Sequence, residues 1–204
     1  MHPTTIPMSE SLPTLVPILL APASLLAFAL IPDRLANRQG RRFASLGAWC
    51  GAGVFGLAVI ALILRFQRGP VVGEVWGTGP LALDVYFDSL SAVMMVLVAF
   101  LGAVVLRYSV NYLAGDPRQG RFTKWLAVTL GSVLALIVAG SLLWFTVAWV
   151  VTSLSLHQLL VFHPDRPAAV LAAWKKFFIS RLGDACLVGA LVLAWQCLDR
   201  KSVV

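Results

Sequence analysis

Long apolar runs alternate along the chain with short polar breaks, and each run has the length of a membrane-spanning helix. A helix crosses a hydrocarbon core of roughly 30 Å with about 20 residues at about 1.5 Å per residue. Runs of that kind predict six helices, at about 12–31, 44–64, 89–110, 122–139, 142–162 and 167–198. Joining the fourth and fifth runs would make one helix of about 57 Å from Trp125 to Phe162. Gly140 and Ser141 are therefore read as a tight turn between two antiparallel helices. The pattern predicts an all-α, polytopic membrane bundle, with an external tail at 1–11 and the six helices within 12–198. The longest connection, 65–88, contains Gly69-Pro70, Gly73, Gly77 and Gly79-Pro80 and reads as turn-rich rather than as a domain.

Composition agrees with this pattern. Of 204 residues, 59% are hydrophobic and 12% charged, and the mean hydropathy is +0.87; a soluble domain carries about 25% charged residues. The formal net charge of +7 does not indicate nucleic-acid binding, because the basic residues sit in short clusters between the apolar runs. Arg34, Arg38, Arg41 and Arg42 follow the first helix; Arg107, Arg118, Arg121 and Lys124 flank the third loop; Arg166 follows the fifth helix. The positive-inside rule then predicts that the loops after helices 1, 3 and 5 are cytoplasmic and the N-terminus outside, in a cell (inner) membrane. The first run lacks a basic segment before it and is interrupted by Pro13, Pro17 and Pro22, so it is read as a spanning helix, not a cleaved leader. Cys50, Cys186 and Cys197 stand singly in apolar segments, and His2 and His163 lie outside the spans. No metal or cofactor motif is present in that arrangement, and none is expected. Gly47, Gly51, Gly53 and Gly56 give the second helix small positions suited to close helix contact.

Ionisable residues within a span are costly and are functional candidates by default. They concentrate in the sixth helix, which at about 48 Å exceeds the core and must begin in the headgroup region. Lys175 and Lys176 fall near that boundary, where snorkelling to the interface is the plainer reading beside an ion-path role. Arg181 and Asp184 lie deeper and, three residues apart, share a face. At about 100° per residue, Lys176 and Arg181 flank Asp184, while Lys175 points roughly away. This set is either a neutralising ion pair that holds the helix to its neighbours or the lining of a hydrated ion route, and the two readings are compatible. The fifth helix adds Thr152, Ser153, Ser155, His157 and Gln158. His157 is a candidate proton relay; the hydroxyls also suit interhelical hydrogen bonding.

Phe87-Asp88-Ser89-Leu90-Ser91, the segment 140–149, and the run from Trp174-Lys175-Lys176 to Arg181-Leu182-Gly183-Asp184 resemble the first six helices of the antiporter-like membrane subunits. That superfamily includes the L subunit (chain 5) of proton-pumping NADH:quinone oxidoreductase and the large Mrp antiporter subunit. The resemblance implies a fold of about fourteen helices with inverted repeats carrying broken helices, of which this chain would be the N-terminal part. The respiratory members carry Trp-Glu in helix 5; here Trp149 is followed by Val150. The stretch 149–160 with 163–176 looks more like DabB, the membrane subunit of energy-coupled inorganic carbon pumps. That likeness implies a cation-translocating subunit working with a soluble, zinc-containing DabA-like partner. Other respiratory membrane subunits would be the partners under the respiratory alternative, and a non-transporting membrane scaffold is a third reading. Residues 199–204 resemble adapter-derived sequence and are read as truncated or non-native.

Overall fold

In the computed structural model, residues 8–76, 83–162 and 167–201 are described, with side chains described over 15–71, 83–162 and 170–196. Expectations placed on the tail 1–11, on His163 and Arg166 and on 199–204 fall outside the residues whose side chains are described. The elements are α1 (Met8–Ala29), α2 (Asp33–Arg38), α3 (Gly40–Arg68), β1 (Val71–Trp76), β2 (Leu83–Phe87), α4 (Ser89–Tyr112), α5 (Gln119–Val138), α6 (Leu142–Leu160) and α7 (Pro167–Lys201). Within the described residues, α3 to α7 are five helices long and apolar enough to cross a membrane. The apolar stretch Leu15–Ala29 of α1 is shorter, so the count of six is approximate. The chain is an integral, multi-pass membrane protein.

The packed centre is formed by α1, α3, α4 and α5. Ile18, Ala21 and Leu25 of α1, Ala58 and Ala61 of α3, Ala92, Met95 and Leu106 of α4, and Ala127 and Leu134 of α5 are all fully or nearly fully buried in one cluster. Small residues allow these backbones to approach closely. A Cβ at Gly51 would meet the Leu106 side chain at 2.7 Å, and one at Gly102 would meet Leu130 at 2.9 Å. The glycines of α3 do not form a single contact face, contrary to the sequence expectation. Gly47 and Gly51 pack inward, whereas nothing lies within 4 Å of a Cβ at Gly53 or Gly56. Two residues turn a helix by about 200°, so Gly51 and Gly53 necessarily face opposite ways.

Two elements occupy segments that the sequence reads as loops. The 65–88 connection holds an antiparallel hairpin in which Val71 pairs with Phe87, Val72 with Tyr86 and Gly73 with Val85, with an irregularity between Glu74 and Trp76. A two-stranded hairpin is marginal alone. This one is fastened by burial of Val71, Val85 and Phe87 in the main core and by the Gly140 N–H, which donates to the Asp84 carbonyl at 2.8 Å. A Cβ at Gly140 would lie 2.9 Å from the Asp84 backbone, so the α5–α6 turn requires a residue without one. The chain leaves α3 through Gly69, whose φ of 91° favours glycine, and enters α4 through Asp88, whose Oδ1 accepts the Ser91 N–H at 2.7 Å as an N-cap. The Asp-x-x-Ser spacing in the Phe87–Ser91 motif thus has a local structural cause.

The second is α2, a one-and-a-half-turn helix. Ala36 is buried against α5, and a Cβ on Gly120 would collide with the Ala36 carbonyl. Asn37 Oδ1 accepts the Arg121 N–H at 3.0 Å, and Lys124 Nζ meets Asp33 Oδ1 at 2.8 Å. Arg121 Nη2 reaches Gln158 Oε1 at 3.4 Å, and Arg118 lies 5.3 Å from the centre of the Phe162 ring. The segments after α1, after α4 and at the end of α6 therefore meet at one end of the bundle. The hairpin and the α5–α6 turn meet at the other.

Candidate functional site

Helix α6 presents Trp149, Ser153 and His157 at successive four-residue steps, which places them along one stripe. The facing stripe of α7 carries Trp174, Phe177, Arg181 and Asp184 at steps of three and four. The two stripes meet in a contact that holds charged and hydroxyl side chains within the span. Asp184 is buried, with 7% of its surface exposed. Its Oδ1 accepts the Trp149 indole N–H at 3.1 Å. Its Oδ2 lies 2.5 Å from Arg181 Nη2, a charge contact without hydrogen-bond alignment. The same Arg181 nitrogen donates to Ser153 Oγ at 3.2 Å, and the guanidinium stands 5.4 Å from the Phe177 ring centre. Lys176 Nζ donates to the Ser153 carbonyl at 3.0 Å.

Ser153 is thus the junction of the cluster: its carbonyl takes the lysine and its hydroxyl takes the arginine. A carbonyl inside a helix is ordinarily committed to the helix ladder, and a second, cationic donor uses its remaining lone pair. His157 packs its ring 4.7 Å from Phe177 and 5.9 Å from Trp174, centre to centre. Its Nδ1 is buried without a hydrogen-bond partner, as is Arg181 Nε. An aromatic box around an unpartnered imidazole nitrogen leaves a proton-accepting or proton-donating position unfilled beside the charged cluster.

Of the sequence candidates, the structure brings Lys176, Arg181 and Asp184 together around Ser153 and Trp149, with His157 one turn along α6. Lys175 is not part of the group; it is exposed on the far side of α7, as its angular position predicts. The hydroxyls of Thr146, Thr152 and Ser155 each donate to carbonyls three or four residues earlier in α6. Trp149 is a member of the cluster that sequence reasoning treats only as the neighbour of Val150. Its signal was an indole N–H inside a span, which needs an acceptor. Val150, half-buried, lies about 100° away around the helix from Trp149. On another face of α6, an apolar cavity of about 290 Å³ separates α6 from α1 and β2, with Asp84 and Ser132 its polar residues. Among the described residues, no three His, Cys, Asp or Glu side chains gather as a metal-holding group.

Comparison with known proteins agrees with this architecture. Residues 76–123 match the family described as NADH-ubiquinone oxidoreductase (complex I), chain 5 N-terminus. The chain is 39% identical over 182 residues to the probable inorganic carbon transporter subunit DabB2 of Halothiobacillus neapolitanus, covering 86% of this chain and 33% of that protein. It is 34% identical over 115 residues to NADH-quinone oxidoreductase subunit L of Mycobacterium tuberculosis, covering 56% of this chain and 18% of the relative. The chain thus spans a third or less of the length of these relatives. A subunit in the structure of the membrane-bound sulfane sulfur reductase, an archaeal respiratory membrane complex, shares the fold with a TM-score of 0.68 at 20% identity, over 94% of this chain and 28% of that one. Over most of its length the chain is thus similar to the antiporter-like membrane subunits, among them the inorganic carbon transporter subunits DabB and the subunit L proteins of NADH-quinone oxidoreductase.

Proposed function

We propose that the chain supplies the N-terminal helices of a cation-translocating membrane subunit in an energy-coupled inorganic carbon uptake complex, with a proton or sodium ion as the coupling cation. The observation that carries this reading is the α6–α7 cluster, in which a buried aspartate and two cations are linked through one serine while valine follows Trp149. The similarity to DabB2 over most of the chain supports the carbon-uptake assignment. In this reading Asp184 is the carboxylate on the ion route: a cation arriving there competes with Arg181 for its charge, while Arg181 keeps its donor contact to Ser153 Oγ. His157, one turn away, is the next proton carrier toward the end of α6. A soluble, zinc-containing DabA-like subunit is the partner, since such a division of labour leaves the zinc chemistry to another chain. The membrane is the cell inner membrane, with the Arg34–Arg42 and Arg118–Lys124 ends facing the cytoplasm, as the grouping of arginines at one end of the bundle favours.

The match of residues 76–123 to the complex I chain 5 family favours a second reading, a proton-translocating subunit of a respiratory or Mrp-type complex. The two are separated by coexpressing the complete subunit that contains this chain with a soluble DabA-like protein in a host unable to concentrate inorganic carbon. Growth in air that requires both proteins and is abolished by an uncoupler is the expected result. Failure to rescue, together with co-purification of respiratory membrane subunits, would favour the second reading.

A further inference from the structure

The outward face of α3 carries an arrangement that the α6–α7 cluster does not use. Arg41 and Arg42, both exposed, line an open surface cavity together with Gln39, Ser45, Leu46 and Trp49. Two arginines in the first turn do nothing for the helix itself, because the positive end of the dipole disfavours cations there. From Arg42 the same face continues through Leu46, Trp49, Gly53, Gly56, Ile60 and Ile63, at steps of three and four that keep every position within about 60° of Arg42. Leu46 is 61% and Trp49 75% exposed. Gly53 and Gly56 have nothing within 4 Å of a Cβ, so they form a shelf without side chains between Trp49 and Ile60. Gly53 lies about 16 Å along the axis from Arg42, close to the half-thickness of a hydrocarbon core, roughly 15 Å. A cationic head, an amphipathic ring at the interface and an open apolar shelf one leaflet deep match the three parts of one molecule.

We propose that this face of α3 is a binding site for an anionic phospholipid, with the phosphate at Arg41 and Arg42, the glycerol region beside Ser45 and Leu46, and an acyl chain running past Trp49 toward Gly53 and Gly56. Charge complementarity chooses this occupant over another apolar helix, which would leave the arginine pair unanswered. The site is independent of which cation the subunit moves.

The test uses the chain reconstituted in phosphatidylcholine vesicles doped with brominated phosphatidylglycerol or with brominated phosphatidylcholine. Bromine quenches indole fluorescence at contact, and the difference between the parent and Trp49→Phe isolates the signal at this site. Phosphatidylglycerol is expected to occupy the site roughly three- to thirtyfold more readily than phosphatidylcholine, from two arginines at a membrane surface. Arg41→Gln with Arg42→Gln should bring that ratio to about one, and Arg41→Lys with Arg42→Lys should retain it. Gly53→Leu with Gly56→Leu, which fills the shelf and leaves the arginines untouched, should lower it. A ratio of one in the parent, or a preference undiminished in the glutamine pair, would overturn the proposal. So would an unchanged ratio in the leucine pair, which would indicate a charged patch without a lipid groove. Self-association through Gly53 and Gly56 with no lipid preference would instead assign the face to a second helix and equally overturn it.

Discussion

The four-helix centre and the α6–α7 pair are built on opposite principles. In α5, 44% of the spanning stretch is buried within the chain; in α7 it is 6%. The centre gains its cohesion from alanines and glycines that let helices touch along their length, a source of attraction that works where lipid and side chain are equally apolar. By contrast, α7 is joined to α6 by a few polar and aromatic contacts that converge on Ser153, Trp149 and Phe177. The difference teaches where substitutions should be felt as lost packing and where as lost charge compensation. Changes in the centre should act on stability alone and should add to changes in the α6–α7 pair, with which they share no partner. Changes in the α6–α7 pair should be strongly non-additive, because each charged group there depends on the others.

The largest effect is expected at Asp184. Replacing it with alanine strands Arg181 inside the span, which costs about 3–5 kcal/mol when the remaining charge is dry; the Arg181 side chain is 30% exposed, so the lower end applies. Asp184→Ala with Arg181→Ala should be less damaging than Asp184→Ala alone, as read from unfolding in detergent by a double-mutant cycle. Additive losses would erase the distinction between the two regions. Next comes Gly51→Val in the centre, which forces a side chain into Leu106. Overpacking of this kind costs roughly 1–3 kcal/mol, and pairing it with Asp184→Ala should give a simple sum, the two sites sharing no partner.

Trp149→Phe keeps the ring and removes the indole donor to Asp184. Because Trp149 is 47% exposed, the loss should fall near or below 1.5 kcal/mol, the lower end for a hydrogen bond to a charged group, about 1.5–3. Its signature is that the loss disappears in an Asp184→Ala, Arg181→Ala background, where no acceptor remains for the indole N–H. The smallest effect is at the bundle's other end. Asp88→Ala removes the α4 cap, worth about 1 kcal/mol. The Ser91 backbone N–H holds the Asp88 carboxyl below its ordinary value of 3.8. A carboxyl depressed in the folded state contributes stability that is fully present above the unfolded value and is lost as pH falls through the folded one. Unfolding midpoints of the parent and Asp88→Ala should therefore differ by a constant amount from pH 7 to 5 and converge below about pH 4. A difference that vanished already between pH 7 and 6 would show that another group carries the cap.

How much of this was legible beforehand follows from which forces act locally. Apolar runs of spanning length place α3 to α7 to within a few residues, since length and hydropathy alone decide whether a segment can cross lipid. The Gly140 turn is legible because the apolar stretch on either side of it has the length of two spans, and Gly-Ser is the break between them. Arg181 and Asp184 meet because three residues along a helix bring side chains to one face. The hairpin was less legible. Its strands are only six and five residues between glycines and prolines, and it is held by a tertiary contact, Gly140 on Asp84, that local pattern cannot reveal. Helix α2 is six residues long, too short to show a period, and it exists where Gly120 leaves room for Ala36. The division of the α3 glycines into a packed and an open face needed the positions of neighbouring helices, although their angular spacing was already in the sequence. The role of Ser153 as a shared acceptor was invisible for the same reason: its partners lie 23 and 28 residues away.

Val150 bears on the function of the cluster more sharply than on its stability. A carboxylate installed there would have no partner provided for it and would be either protonated or costly, by several kcal/mol. The most direct measurement of the proposed function is therefore carbon-uptake complementation by the complete subunit, coexpressed with a soluble DabA-like protein, in four forms: parent, Asp184→Asn, Val150→Glu and Lys175→Gln. The account predicts uptake in the parent, a loss of at least about tenfold in Asp184→Asn, equivalent to roughly 1.4 kcal/mol or more, no gain from Val150→Glu, and near-parental uptake in Lys175→Gln, which lies outside the cluster. Parental uptake in Asp184→Asn combined with improved uptake in Val150→Glu would contradict it.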